Sequence, residues 1–217
     1  MVIRRGYDRL VNLSDAVIAI AVTLLILPLA DSAGNLGSAT PAEFLQENSE
    51  QLFLFVLSFA VIARFWLIHH QLYRSIDGYT IPLVWLNFLW LLTIVFLPFP
   101  TELLGQRNAA TNPLTSGLYI GTMLVTSLSG LAQQVLIYRT PELQLESVRG
   151  TLSLVGAIVP SIAMVIAFVL AITVPGVGVW GLLLLVPTGV VENWITRRRA
   201  KSAGPDGTGP DVDPSTN

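Results

Sequence analysis

The feature that most constrains this chain is a run of mostly apolar residues that recurs six times. A helix needs about 20 such residues to cross a bilayer, and residues 10–30, 50–73, 79–104, 114–138, 149–173 and 175–195 all qualify. Only a Pro175-Gly176 turn separates the last two, which predicts a hairpin. Charged residues make up 12% of the chain and mean hydropathy is +0.66, whereas a soluble domain carries roughly 25% charge. The expected fold is an all-α membrane protein with residues 1–201 forming six transmembrane helices. The tail 202–217, rich in Pro, Gly, Asp, Ser and Thr, has little to bury and is expected to be disordered. The first run outlasts a signal-peptide core of roughly 7–15 residues and contains Asp15, so it reads as a retained first helix.

Loop charge sets the expected orientation. Arg4, Arg5 and Arg9 precede the first run, Arg74 follows the second, and Arg139 and Arg149 bracket the fourth loop. Arg197, Arg198, Arg199 and Lys201 follow the sixth. The first loop carries Asp31, Glu43, Glu47 and Glu50 without Lys or Arg, the third has only Arg107, and the fifth has none. The positive-inside rule then places both termini in the cytoplasm. No internal repeat of the kind that marks many secondary transporters is visible.

Composition removes several classes of chemistry. There are no cysteines, which excludes disulfides, thiolate metal sites and cysteine nucleophiles. The two histidines, His69 and His70, are adjacent and too few for a catalytic zinc site, which takes three protein ligands. A net charge of −2 gives no reason to expect nucleic acid as a partner, and no cofactor is expected.

A charge at the bilayer centre costs about 2.5–3.5 kcal/mol on insertion scales, so polar residues inside the runs are the first candidates for function. They are Asp15, Arg64, Trp66, His69, His70, Asn87, Glu102 and Glu192. Counted from the cytoplasmic face, Asp15, the Trp66–His70 turn and Asn87 fall within about 5–13 Å of it. Trp66 and His70 are four residues apart and share a helix face. A carboxylate, an indole N–H, an imidazole and an amide at one depth can satisfy one another as structural glue; a proton relay or ion site is the other reading. Arg64 reads as a snorkelling side chain, and Glu192 as a partner of the Arg197–Arg199 cluster, itself a topology anchor or an anionic-lipid contact.

The first run has a second pattern. On a wheel of about 100° per residue, Leu13, Ala16, Leu24 and Leu27 fall within about 40° of Ile20, with Thr23 at the edge and Asp15 opposite. Ile20 lies about 15 Å in, near the middle of a roughly 30 Å hydrocarbon core. Such a column is ordinarily lipid-facing or packing surface. Arranged symmetrically around an axis, it would form a hydrophobic constriction. Spacing alone does not choose.

The run Arg9-Leu-Val-Asn-Leu13-Ser14-Asp15, leading into Ala-Val-Ile-Ala-Ile20-Ala-Val-Thr23-Leu24-Leu-Ile-Leu27, resembles the first-helix signature of the lysosomal and bacterial potassium channels of the transmembrane protein 175 family. Phe65-Trp66, His69-His70, Asn87 and Leu97-Pro98-Phe99 are also similar to that family. Leu13 stands where the signature has Phe, keeping bulk and apolarity. The resemblance covers about the first half of the chain. It implies a homotetramer of six-helix subunits with the first helix of each lining the axis, and potassium as the permeant ion. Ile20 would form the constriction, Leu24 and Leu27 would extend the seal, and Thr23 would supply a hydroxyl ring favouring potassium. Arg9, Ser14 and Asp15 would hold the helix against its neighbours through Trp66, His70 and Asn87.

The chain has no Thr-Val-Gly-Tyr-Gly filter, so selection by a cage of filter carbonyls is unavailable and only modest preference for potassium over sodium is expected. A proton-coupled transporter using Asp15, Arg64, His70 and Glu192 is the alternative from another class, followed by a non-conducting scaffold. No nucleophile or metal constellation points to an enzyme.

Overall fold

The computed structural model describes residues 2–34, 40–106, 112–149 and 154–174. They form eight α-helices: α1 (Tyr7–Leu24), α2 (Leu27–Gly34), α3 (Pro41–Glu47), α4 (Ser49–Tyr73), α5 (Ile81–Phe96), α6 (Pro98–Leu104), α7 (Pro113–Arg139) and α8 (Val155–Thr173). Grouped by continuity, five stretches are long and apolar enough to cross a membrane: Tyr7–Gly34, Ser49–Tyr73, Ile81–Leu104, Pro113–Arg139 and Gly156–Thr173. The chain is therefore an all-α, multi-pass membrane protein. The sixth stretch, 175–195, and the tail lie outside the described residues.

The helix starts are written locally. Thr40, Thr80 and Asn112 each accept a hydrogen bond at a helix N-terminus, from the backbone N–H of Glu43, Leu83 and Leu114 respectively. Each is followed within two residues by a proline, which loses nothing there because a first-turn N–H has no intrahelical partner. Two spans expected to be continuous are broken, and proline is the reason in both. Pro28 has no N–H to give the Leu24 carbonyl, and its ring crowds that carbonyl. The ladder tightens into i→i−3 bonds from Leu25 and Ile26, to Val22 and Thr23, before α2 begins. Pro98 likewise separates α5 from α6. The fifth stretch also begins later than residue 149: Arg149 is extended, and α8 starts at Val155.

α7 packs most extensively, against α8 and α5, and α1 lies against α5 and α4. The main core holds Ile18, Ala21, Ile62, Ile94, Leu97, Tyr119 and Met123 at the helix crossings. Three chain segments meet at one end of the bundle. Ile3 and Tyr79 exchange two backbone hydrogen bonds of 2.8 Å, and the Asp77 and Leu145 amides donate to the Leu143 and Ser75 carbonyls. Gly78 is what lets the first pair close: a Cβ there would stand 3.0 Å from the Ile3 carbonyl oxygen. Arg4 adds an ion pair to Asp77 at 3.4 Å. The segments before α1, between α4 and α5, and after α7 thus form a collar. Every Lys or Arg among the described residues except Arg64 lies at this end.

Candidate functional site

α1 has two faces with opposite chemistry. Leu10, Ser14, Ile18 and Ala21 are buried against the bundle, repeating at three and four residues as one face of a helix must. The other face is left open by the described residues. Leu13, Ile20 and Leu24 are exposed on α1, with Leu27 beyond the joint, and Ile20 is 60% exposed. Ala16 and Thr23 are exposed on the same side. The apolar column read from the sequence is therefore one surface that the described residues of the subunit leave uncovered.

Thr23 on that surface has a defined polarity. Its hydroxyl donates to the Ile20 carbonyl at 2.8 Å, which spends its one proton and leaves the oxygen lone pairs outward. One residue on, the Leu24 carbonyl is denied its i+4 hydrogen bond, because the residue four ahead is Pro28. The outward face thus carries the Thr23 hydroxyl oxygen as an acceptor, and no donor from Thr23.

The bundle face is fixed by a directional chain of hydrogen bonds. The Ser14 hydroxyl donates to the Leu10 carbonyl at 2.9 Å, so its oxygen must accept from the Asn87 amide nitrogen, also at 2.9 Å. That turns the Asn87 amide oxygen toward His69 Nε2, 2.8 Å away, and His69 must be the donor. Ser14 and Asn87 are fully buried and His69 nearly so. The His69 ring is held from both sides, its centroid 4.2 Å from those of Tyr73 and Trp90. Beside this chain, the Trp66 indole N–H donates to Asp15 at 2.8 Å, and Tyr73 donates from its hydroxyl to Gln133 at 2.9 Å.

Ser14, Asp15, Trp66 and Asn87 come together at the depth their positions suggest. The histidine bonded to Asn87 is His69, whereas His70 stacks on Trp66 with centroids 5.1 Å apart. Periodicity pairs Trp66 with His70 on α4, but the amide of Asn87 reaches in from α5 one residue round, and a single sequence does not show which face α5 meets. Arg9 is exposed and stands apart from the chain. Arg64 lies on α4 facing a groove, and Glu192 lies outside the described residues. Among the described residues, no group of three His, Asp or Glu side chains is placed to hold a metal ion.

The comparisons with known proteins fall on this same region. The family model of the endosomal/lysosomal potassium channel TMEM175 matches residues 9–98, which run from the foot of α1 to the start of α6. A potassium channel of Streptomyces collinus is 33% identical over 122 residues, covering 54% of this chain and 57% of that protein. A potassium channel of a Chryseobacterium species is 26% identical over 126 residues, covering 57% of this chain and 63% of that protein. The match thus spans about three-fifths of each relative. The first-helix signature, the family match over α1 to α5 and these two relatives make the first half of this chain similar to the TMEM175 family of potassium channels.

Proposed function

We propose that the chain is one subunit of a passive, potassium-preferring pore, a homotetramer of six-helix subunits with α1 of each subunit at the axis. Residues 175–195 supply the sixth span, and the arginine-rich collar faces the cytoplasm. The observation that carries this reading is the outward face of α1. Leu13, Ile20, Leu24 and Leu27 form a column on a helix whose other face is pinned to the bundle by buried polar bonds. A helix meant only to face lipid needs no such pinning; one that must present a single face to a symmetry axis does. Ile20 near mid-membrane is the narrowest ring, and Leu24 and Leu27 lengthen the dry passage.

Thr23 then offers lone pairs to a partly dehydrated cation. A single ring of weak hydroxyl acceptors discriminates less than a carbonyl cage, so potassium permeates better than sodium by a modest factor. Ser14, Asn87, His69, Asp15 and Trp66 act as positioning residues, and no cofactor is required. The roles of the relatives as potassium channels support the same class and no reaction of an enzyme.

The test is ion flux into liposomes holding the purified protein, with potassium, sodium and caesium compared for wild type and Ile20→Asn. Wild type should pass potassium in preference to sodium, and the substitution should raise flux and flatten the preference. Silence from well-folded wild type would remove the pore reading, and uptake driven against a potassium gradient by a pH difference would replace it with a coupled transporter.

A further inference from the structure

Two proline joints face each other at the end of the bundle opposite the collar. Pro28 interrupts the ladder between α1 and α2, and Pro98 does so between α5 and α6. Both line one notch, together with Leu29 of α2, Leu54 and Phe55 of α4, and Thr101 of α6. Only about 10 Å³ of it is free, about the room one water needs.

The arms beyond the two joints are held by different means. On α6, the Thr101 hydroxyl donates back across the joint to the Leu97 carbonyl at 2.9 Å. Its one proton is then spent, so it accepts from Ser58 of α4 at 2.9 Å, and Ser58 accepts from Tyr119 of α7 at 2.9 Å. All three are buried, and α6 is bolted to α4 and α7 just past its proline. On α2, Leu29 is the one buried residue. The Ser32 hydroxyl bonds within the arm, to the Pro28 carbonyl at 2.9 Å. The joint beneath the arm is closed by i→i−3 bonds from Leu25 and Ile26, both 3.4 Å, longer than an ordinary amide bond.

We propose that α2 is a hinged arm, latched by Leu29 in the Pro98 notch, that moves the outer ring of the α1 column between two positions. Leu29 is 5% exposed when seated, and Leu27, two residues before it, is 50% exposed on the outward face. Turning at Leu25–Ile26 shifts Leu27 relative to Ile20 and Leu24, which stay on the pinned α1. The bolted α6 is the fixed seat against which the arm closes. Because one leucine side chain makes the latch, its burial sets the balance between seated and lifted arm by about tenfold or more. As a gate, this inference rests on the pore reading above; as a hinge it does not, and the two are measured separately.

The chain has no cysteine of its own, so Leu54→Cys beneath the arm reports lifting to fluorescein maleimide in lipid nanodiscs. The gap left by a truncated leucine is too small for this reagent, so labelling reads displacement of α2. Ser58→Cys, about one turn deeper and under α6, is the control. Leu29→Ala should speed labelling of Leu54→Cys by about tenfold or more. The volume-conserving Leu29→Met should stay near the wild-type rate. Pro28→Ala, which restores the N–H owed to the Leu24 carbonyl, should slow it. Equal rates in Leu29→Ala and its parent overturn the latch, and faster labelling in Pro28→Ala overturns the joint. A Ser58→Cys rate that climbs in step means that the whole end loosens, which overturns both. Gln51→Cys, which also lines the notch, replaces Leu54→Cys if that variant does not fold. In liposomes, Leu29→Ala should raise potassium flux and keep the preference over sodium. Unchanged flux from a variant whose arm lifts overturns the gate. Silence from wild type overturns the pore reading and the gate with it, while labelling still decides the hinge.

Discussion

The two ends of the bundle are built by different means. At the collar end, hydrogen bonds join residues far apart in the chain: Ile3 with Tyr79 and Leu145 with Ser75 between segments, and Asn87 with Ser14 and Trp66 with Asp15 between helices. Among the described residues at the opposite end, the helix caps are closed by neighbours. Thr40 and Glu43 cap α3 reciprocally, and Asn112 caps α7 two residues on. Only deeper inside does that half have a long-range cluster, where Ser58 lies 2.9 Å from both Thr101 and Tyr119. The difference means that the foot of α1 is located by the whole subunit. The far loops are located by their own sequence.

This contrast can be broken at graded points. The largest effect is expected at Asn87, because Asn87→Leu strands the buried His69 N–H and removes the donor to Ser14. An unsatisfied buried group costs about 1–3 kcal/mol, and two lost bonds put the loss near the top of that range. Thermal unfolding in detergent should show it, and in liposomes the variant should lose cation preference along with stability. A loss in stability with unchanged preference would mean that the chain holds the fold without positioning α1.

A smaller effect is expected from Gly78→Ala. The new methyl meets the Ile3 carbonyl oxygen at 3.0 Å and the Val2 side chain at 3.1 Å, and overpacking of this kind costs about 1–3 kcal/mol. Hydrogen exchange should speed up at the Ile3 and Tyr79 amides while α7 and α8 keep their protection. At the other end, Thr40→Ala removes an N-cap worth about 1 kcal/mol, and exchange should rise in α3 alone. Spread of either effect to the opposite end would dissolve the distinction.

The smallest effect is pH-dependent. Hydrogen bonds from the Thr40 backbone and hydroxyl hold the Glu43 carboxyl below its ordinary value. A group with a lowered native pKa stabilises above its unfolded pKa, and that contribution fades as pH falls through the native one. The protection of α3 amides, taken relative to the intrinsic exchange rate at each pH, should therefore fall slightly in acid, only slightly because the group is fully exposed, with no comparable change at the collar.

How far the sequence reveals these arrangements follows the same division. Caps such as Thr40-Pro41 and Asn112-Pro113 are readable because their partners sit a few residues away. The spans are readable because bilayer thickness fixes their length. The outward column of Leu13, Ile20, Leu24 and Leu27 is readable from helical period, although only the bundle shows that α1 leaves it uncovered. The breaks at Pro28 and Pro98 are missed when apolar length is weighed above the missing N–H. The choice of His69 over His70 depends on how α5 is rotated against α4, and nothing local encodes that rotation. The collar is invisible for the same reason: Ile3 and Tyr79 become neighbours only after two spans have crossed and returned.

The chain from His69 through Asn87 and Ser14 to the Leu10 carbonyl runs in one direction only, each donor used once. It works as a detent. Sliding α1 by one residue, about 1.5 Å along its axis, carries Ser14 away from Asn87 and Asp15 away from Trp66 in the same stroke. These contacts fail together rather than one by one, so the foot of the first span travels with α4 and α5 or stays where it is.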